Sequence, residues 1–149
     1  MSYVNTSVGV KALTDICCTS SNAVDVIRSL PSDAKIVFAP DRNLGNYIRG
    51  VTGRDMVVWD GVCGVHEEFS LEKILELKKK YPEAKVLAHP ECKKTVLLAA
   101  DYIGSTAALL RFASTDPADT FIVVTEAGIL YQMRKENPGK TFIPAPPED

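Results

Sequence analysis

Short apolar runs alternate along the chain with longer stretches in which apolar residues recur every three or four positions. The short runs are typical of buried strands, and the longer stretches are typical of helices that bury one face. Strands are predicted at residues 15–18, 36–39, 56–59, 85–88, 101–103, 121–124 and 141–144. Helices are predicted at residues 8–13, 23–30, 71–80 and 129–135, with further helices after Pro40, Cys92 and Gly104. This alternation predicts an α/β fold.

The two halves of the chain resemble each other at a period of about 86 residues. Tyr3 aligns with His89, and Cys18 aligns with Gly104. Polar residues follow the predicted strands at equivalent places in both halves. The pattern therefore indicates an internal repeat.

The repeat and the short connections predict two pseudo-repeated small modules, each a parallel sheet with helices on its faces. The first module is expected to span residues 1–66 and to end in the loop that carries Cys63, and the second to span residues 67–149. Because the carboxyl ends of parallel strands share one edge, the polar residues there are expected to converge on one pocket. Adding the period of about 86 residues to Cys63 reaches Asp149 or a position just beyond it. We therefore expect a second module truncated before its own cysteine loop, and a chain that is part of a longer protein.

Composition narrows the classes of partner. The 149 residues are 46% hydrophobic and carry a net charge of −2, without a basic patch interleaved with aromatic residues. Nucleic acid and membrane surfaces are therefore not expected partners. No apolar run has the length of a membrane span and no leader peptide is recognisable, so a cytoplasmic location is expected.

The four cysteines and two histidines contain one pattern typical of metal sites. Cys63 and His66 are separated by two residues, and so are His89 and Cys92. Four such ligands suffice for tetrahedral zinc. One interpretation is therefore a non-enzymatic α/β module that binds zinc or a small anion. Without a secretory signal, reduced thiols are expected rather than disulfides.

Hydroxyl and carboxyl side chains mark the turns that follow the predicted strands. Ser20, Ser105 and Thr106 stand where backbone N–H groups at a helix N-terminus bind carboxylate or phosphate, although each could also be a simple helix cap. Glu91 is a candidate general acid/base or orienting carboxylate. Asp41 and Glu126 are interpreted as ordinary turn and cap residues.

Seven collinear motifs resemble the quinolinate synthase family over the whole chain. They are SYVNT at 2–6, CTSSNA at 18–23, FAPDRNLG at 38–45, W-x-G-x-C-x-x-H at 59–66, HPE at 89–91, GST at 104–106 and GI-x-Y-x-M at 128–133. Any one of them is weak evidence, but seven in family order and spacing are specific.

The resemblance implies a transferase of NAD biosynthesis that condenses iminoaspartate with dihydroxyacetone phosphate to quinolinate, releasing phosphate and water. It implies three pseudo-equivalent α/β domains around a central cavity and a functional link to L-aspartate oxidase. It also implies a [4Fe–4S] cluster held by three cysteines, one per domain, with one iron left open as a Lewis acid.

The resemblance also implies roles for individual residues. Cys63 matches a cluster ligand, whereas Cys92 does not stand at a ligand position of the family. The proton handlers are expected to be Tyr3, His66 and Glu91. The substrate-binding positions are expected to be Tyr3, Asn5, Ser20, His89, Glu91, Ser105 and Thr106. The chain is expected to hold two of the three domains and to be inactive alone.

Overall fold

The computed structural model describes residues 1–146 and forms two compact units. The first unit spans Met1–Cys63, and the second begins at Gly64 and holds the rest of the described chain. His66, which the sequence analysis assigns to the first module, thus belongs to the second unit. Residues 147–149, which the sequence analysis includes in the second module, lie outside the described residues.

The first unit alternates strands and helices from its beginning. Its elements are β1 (Ser2–Tyr3), α1 (Val8–Ala12), β2 (Cys17–Cys18), α2 (Ala23–Ser29), β3 (Val37–Phe38), α3 (Arg42–Thr52) and β4 (Val57–Val58). The strands form two parallel ladders, β1 with β2 and β3 with β4. Met1 connects the ladders, because its amino group donates to the Val37 carbonyl at 2.7 Å and its carbonyl accepts from the Ala39 N–H at 3.0 Å.

One apolar cluster forms the core of the first unit. It contains Cys18, Ile27, Phe38, Leu44 and Ile48, all almost fully buried. Helix α3 contributes two of them on its inner face, and it ends at Gly53, whose φ of 68° lies in the left-handed region that favours glycine at a helix end.

The second unit repeats the same order of elements after two additional helices. Its elements are α4 (Gly64–Glu67), α5 (Leu71–Lys80), β5 (Lys85–Ala88), α6 (Lys94–Leu98), β6 (Tyr102–Ile103), α7 (Thr106–Thr115), β7 (Thr120–Val124), α8 (Ile129–Glu136) and β8 (Thr141–Pro144). The four strands form one parallel sheet in the order β6-β5-β7-β8. This order places β5 and β7 at its centre.

Apolar clusters cover both faces of this sheet. Val86 and Ile122 lie in one cluster, with Ile74 of α5 and Val96 of α6. Residues that alternate with them belong to the other cluster, namely Leu87, Phe121, Val123 and Phe142, which pack with Leu109 of α7 and Met133 of α8. Since a strand buried on both faces reads as a continuous apolar run, β5 and β7 were visible in the sequence.

The expected α/β class with small parallel sheets is confirmed. Two local expectations are corrected. The strand at 56–58 is not buried throughout, because Val57 is exposed while Met56 is buried. Helix α4 was not predicted, since four residues are too few to show a helical period. Within residues 1–146, no helix combines the length and the apolar composition that crossing a lipid bilayer requires.

Candidate functional site

Polar side chains of the second unit gather at the carboxyl ends of its strands. His89 follows β5 and Thr125 follows β7. The His89 N–H donates to the Val124 carbonyl at 3.1 Å, so the two strand ends lie side by side. This edge of a parallel sheet is where ligands bind in open α/β folds.

His66 lies between a carboxylate and a hydroxyl. Its Nδ1 is 3.1 Å from Glu91 Oε2, and its Nε2 is 2.9 Å from Thr125 Oγ1. All three residues are buried. A carboxylate can only accept, so Nδ1 carries a proton and donates to Glu91. In the neutral ring, Nε2 then accepts a hydrogen bond from the Thr125 hydroxyl.

His89 stacks on the imidazole of His66, with ring centroids 4.3 Å apart and an interplanar angle of 15°. Its Nδ1 accepts from the Glu91 backbone N–H at 3.3 Å, so the proton of the neutral ring is on Nε2. Burial, together with the neighbouring His66, lowers the pKa of His89 from 6.5 to about 4, although the Glu91 carboxylate acts in the opposite direction. His89 is therefore a neutral hydrogen-bond donor at pH 7.

The second unit thus holds a carboxylate, an oriented imidazole and a neutral imidazole in one buried cluster. The pairing of Glu91 with His66 Nδ1 leaves Nε2 as the basic atom of that ring, in the manner of a general base oriented by an acid. The sequence analysis identified three members of this cluster, His66, His89 and Glu91.

Ser105 and Thr106 begin helix α7 beside this sheet. Ser105 is buried and caps the helix, with its Oγ accepting from the Ala108 N–H at 3.4 Å. Thr106 is the first helical residue and is partly exposed. The capping interpretation is therefore correct for Ser105, while the ligand role of both remains a prediction.

Tyr3 and Ser20 meet in the first unit. The Tyr3 hydroxyl donates to Ser20 Oγ at 3.5 Å and accepts from the Ser20 backbone N–H at 3.4 Å. Tyr3 ends β1, and Ser20 lies between β2 and α2, so the pair marks the carboxyl end of this ladder. Asn5 is exposed in the turn after β1.

Cys63 is held in the first unit by Asp41. The buried Asp41 carboxylate accepts from the Leu44 N–H through Oδ1 and from the Cys63 N–H through Oδ2, both at 2.7 Å. The first bond caps helix α3. The second fixes the backbone of a partly exposed cysteine in the loop after β4.

A sequence model of the family described as "Quinolinate synthetase A protein" matches residues 1–149. The chain belongs to this family. The resemblance seen in the seven motifs is thereby confirmed.

Relatives in the quinolinate synthetase A family are closely similar to the chain. It is 60% identical over 149 residues to the quinolinate synthase of Thermosynechococcus vestitus and 55% identical over 149 residues to that of a Synechococcus species. It is 56% identical over 146 residues to that of Gloeothece citriformis. These matches cover 100%, 100% and 98% of this chain, but 47%, 47% and 45% of the relatives. The chain spans about half the length of the curated relatives it matches.

The structure of this family member argues against the alternative zinc site. Cys92 is fully buried in the apolar cluster of α5 and α6, and its thiol donates to the Val124 carbonyl at 3.6 Å. The rings of His66 and His89 are stacked face to face. The predicted zinc set of Cys63, His66, His89 and Cys92 is therefore wrong, because Cys92, one of its four ligands, belongs to the apolar core.

The remaining thiols also differ in character. Burial raises the pKa of the Cys18 thiol to about 11, so this side chain stays neutral. Cys17 is exposed on β2, with its sulfur 3.6 Å from Ser2 Oγ. Within residues 1–146 the structure contains no disulfide. The reduced state of the thiols stays a prediction.

Sequence reasoning missed Thr125, and it missed the hydrogen bond between Asp41 and the Cys63 N–H. Thr125 is the first polar residue after the buried run of β7, and that position was the available signal. Asp41 was interpreted as a cap, which is correct, but its bond to the Cys63 N–H joins residues 22 positions apart. No local pattern predicts such a contact.

Proposed function

We propose that the chain forms part of a quinolinate synthase, which condenses iminoaspartate with dihydroxyacetone phosphate to quinolinate in NAD biosynthesis. The observation that carries the proposal is the family match over residues 1–149, with 60% identity to a quinolinate synthase. The buried acid–base cluster at the strand ends of the second unit supports it, because this condensation requires several proton transfers.

Both substrates of the proposed reaction are anionic. The amides at the N-terminus of α7, with Ser105 and Thr106, suit a carboxylate or a phosphate. His89 suits an anion as well, because its neutral Nε2–H donates without adding a charge. In the first unit, hydroxyl and amide groups that also suit an anion are provided by Tyr3, Asn5 and Ser20. We assign all of these to substrate binding.

Proton transfer is assigned to His66, Glu91 and Tyr3. Glu91 holds His66 in the tautomer whose Nε2 is basic, and Thr125 fixes the plane of that ring. His66 can then accept a proton at Nε2, while Glu91 stabilises the imidazolium that forms. The Tyr3 phenol can donate a proton to a developing oxyanion and recover it through Ser20.

The family's [4Fe–4S] cluster would be held in part by Cys63. Its side chain is partly exposed, and Asp41 fixes its backbone, which suits a thiolate ligand. Cys18 and Cys92 do not fit, because both are buried in apolar cores. One thiolate cannot complete the cluster site. The other cluster ligands therefore come from outside the set of Cys18, Cys63 and Cys92. When bound, the cluster supplies an open iron that polarises a substrate oxygen.

The two units are proposed to be pseudo-equivalent modules that correspond to two of the family's three domains. Their common order of elements supports this correspondence. Because the cluster needs three cysteines, the isolated chain is expected to bind it weakly or not at all and to show no turnover.

The test uses a chimera in which this chain replaces the matched segment of the Thermosynechococcus vestitus quinolinate synthase. After anaerobic reconstitution, the chimera should form quinolinate and bind about four iron and four sulfide per site. Cys63→Ala should lose both cluster and activity, whereas Cys17→Ser, a matched exposed cysteine, should keep both.

Two outcomes would contradict the proposal. A folded chimera that binds the cluster but forms no quinolinate would refute the assigned reaction. Binding of one zinc per chain that is lost in Cys92→Ala as well as in Cys63→Ala would refute the assignment of a [4Fe–4S] cluster. It would favour the zinc-binding module instead.

A further inference from the structure

The loop after β4, which carries Cys63, is tied to the rest of the first unit at every second residue. The Trp59 N–H donates to the last carbonyl of β3 at 2.9 Å and so extends the ladder of β3 and β4 by one bond. The Gly61 carbonyl accepts from the Arg42 N–H, at the start of α3, at 2.7 Å. The third tie is the bond from the Cys63 N–H to Asp41.

The indole ring of Trp59 lies directly on Gly61. A Cβ at residue 61 would be 2.0 Å from Cζ3 and 2.2 Å from Cη2 of the ring. The ring therefore occupies the space of the side chain that Gly61 lacks. Aromatic rings that cover a glycine in this way stabilise it. The contact joins the end of the β4 ladder to the middle of the cysteine loop.

The ring, and not the turn, explains glycine at residue 61. Among the described residues, Gly53 is the only glycine with a positive φ, so the backbone at Gly61 does not itself exclude other residues. A glycine in a loop is flexible unless other contacts hold it. The Trp59 ring supplies such a contact.

Burial in the core does not explain Trp59 either. Its side chain is 58% exposed, and it lies outside the apolar cluster of the first unit. An aromatic side chain contributes to stability mainly through the apolar area that it buries. The Trp59 ring packs instead on the loop that carries Cys63.

We propose that Trp59 and Gly61 form a clamp that positions Cys63 for metal ligation. A ligand that is already ordered loses less conformational entropy on binding, so a metal site is tighter when its ligands are held in place beforehand. The clamp orders the loop two residues before the thiol, and Asp41 orders it at the backbone of Cys63 itself. Both clamp residues are positioning residues, since neither supplies a ligand atom. The inference rests on the proposed role of Cys63 in the cluster.

The first measurement is the alkylation rate of Cys63 in the isolated, metal-free chain, followed by mass spectrometry. Trp59→Ala and Gly61→Ala should each accelerate the reaction by about fivefold or more, because the loop opens more often. Gly50→Ala is the matched control, because a Cβ at Gly50 of α3 meets no atom within 4 Å. Native rates in both clamp variants would overturn the proposal.

The double variant Trp59→Ala/Gly61→Ala distinguishes a clamp from two separate effects. Without the ring, a Cβ at residue 61 no longer clashes with it. The second substitution should therefore change the alkylation rate of Trp59→Ala by less than about twofold. Effects that multiply would mean that the two residues act independently, which would overturn the clamp.

Trp59 is the only tryptophan of the chain, so fluorescence anisotropy reports on this ring alone. In the native isolated chain the anisotropy should decay with the tumbling of the whole protein. Gly61→Ala should add a faster nanosecond phase, because the displaced ring moves by itself. A ring that already moves freely in the native chain would contradict the clamp, whatever the chain binds.

The last measurement is the rate at which the reconstituted chimera loses iron to a chelator. Trp59→Ala and Gly61→Ala should lose iron about tenfold faster, since groups that orient metal ligands typically contribute that much to affinity. Gly50→Ala should lose it at the native rate. Circular dichroism at the same temperature separates this effect from unfolding.

Two results of the chelator experiment have different meanings. Folded clamp variants that lose iron at the native rate would overturn the role in ligation. An unsubstituted chimera that binds no cluster would contradict the proposed function, and the alkylation rates and the anisotropy would still decide whether the clamp orders the loop.

Discussion

The Nδ1 atom of His66 lies 3.1 Å from Oε2 of Glu91, and both side chains are buried. This contact bears directly on chemistry, because the carboxylate decides which nitrogen of the imidazole is basic. The two residues are 25 positions apart, on α4 and on the loop after β5. The fold of one unit is therefore enough to assemble an oriented acid–base pair.

Glu91→Gln should remove the negative charge that stabilises the His66 imidazolium while keeping the size of the side chain, and its amide, which can donate as well as accept, no longer selects one tautomer of His66. We expect kcat of the chimera to fall by about a hundredfold or more, since an acid–base contribution of that size is lost. The control is Glu126→Gln, which alters an exposed turn residue whose carboxylate accepts from the Gly128 N–H. A Glu91→Gln chimera with unchanged kcat would remove Glu91 from the proton-transfer assignment.

Thr125 should matter through its hydroxyl and not through its volume. Thr125→Val leaves Nε2 of buried His66 without this donor, which should lower the free energy of unfolding by about 1–3 kcal/mol. Nitrogen NMR of the histidine side chains should also show a changed chemical shift for Nε2 of His66, because this atom has lost the Thr125 donor while Glu91 still fixes the tautomer. Thr125→Ser keeps the hydroxyl and should retain the native shift, so identical spectra for both variants would contradict this role.

How much of this arrangement the sequence predicts depends on how far apart along the chain the interacting residues are. Strand β5 was predicted with its observed bounds, because its run of apolar residues is buried on both faces. Strands β2, β3 and β4 were predicted too long, since their apolar runs extend beyond the residues that pair. His89 and Glu91 were found from a motif, and His66 from its spacing to Cys63.

Other features depend on contacts that no local pattern contains. Thr125 reaches His66 across 59 positions. The burial of Cys92 is decided by helices that pack on the sheet, and two residues of spacing from His89 could not distinguish a ligand from a core residue. The tautomer of each histidine likewise follows from its partners in space.

Stability should depend on pH through His89. Its pKa is about 4 in the folded chain against 6.5 for an unperturbed histidine, so the unfolded chain binds the proton more tightly. The contribution of neutral His89 is therefore complete above pH 6.5 and is lost as the pH falls toward 4. Between pH 7.5 and pH 5 we expect a loss on the order of 2 kcal/mol in the free energy of unfolding.

Urea unfolding of the isolated chain at the two pH values measures this loss. His89→Gln removes the titrating group. The free energy of unfolding of this variant should therefore fall by about 2 kcal/mol less than that of the native chain over the same pH interval. If the variant and the native chain lose equal stability, His89 titrates normally and its assignment as a neutral donor is wrong.

Asp41 should connect the stability of α3 to the order of the cysteine loop. Asp41→Ala removes an N-cap, which alone costs about 1 kcal/mol, and removes the Asp41 acceptor of the partly buried Cys63 N–H, which adds a similar amount. Urea unfolding should therefore show a loss of about 2 kcal/mol, and alkylation of Cys63 should become faster. Asp41→Asn should lie in between, because the amide keeps one acceptor oxygen for two N–H donors.

The matched control is Asp60→Ala. Asp60 pairs with Arg42 at 2.7 Å, but both side chains are exposed, so this pair should contribute less than about 1 kcal/mol. The alkylation rate of Cys63 separates the two roles of Asp41. If Asp41→Ala destabilises the chain while Cys63 reacts at the native rate, Asp41 acts only as a cap; a faster reaction means that the same carboxylate also prepares the loop that carries the proposed cluster ligand.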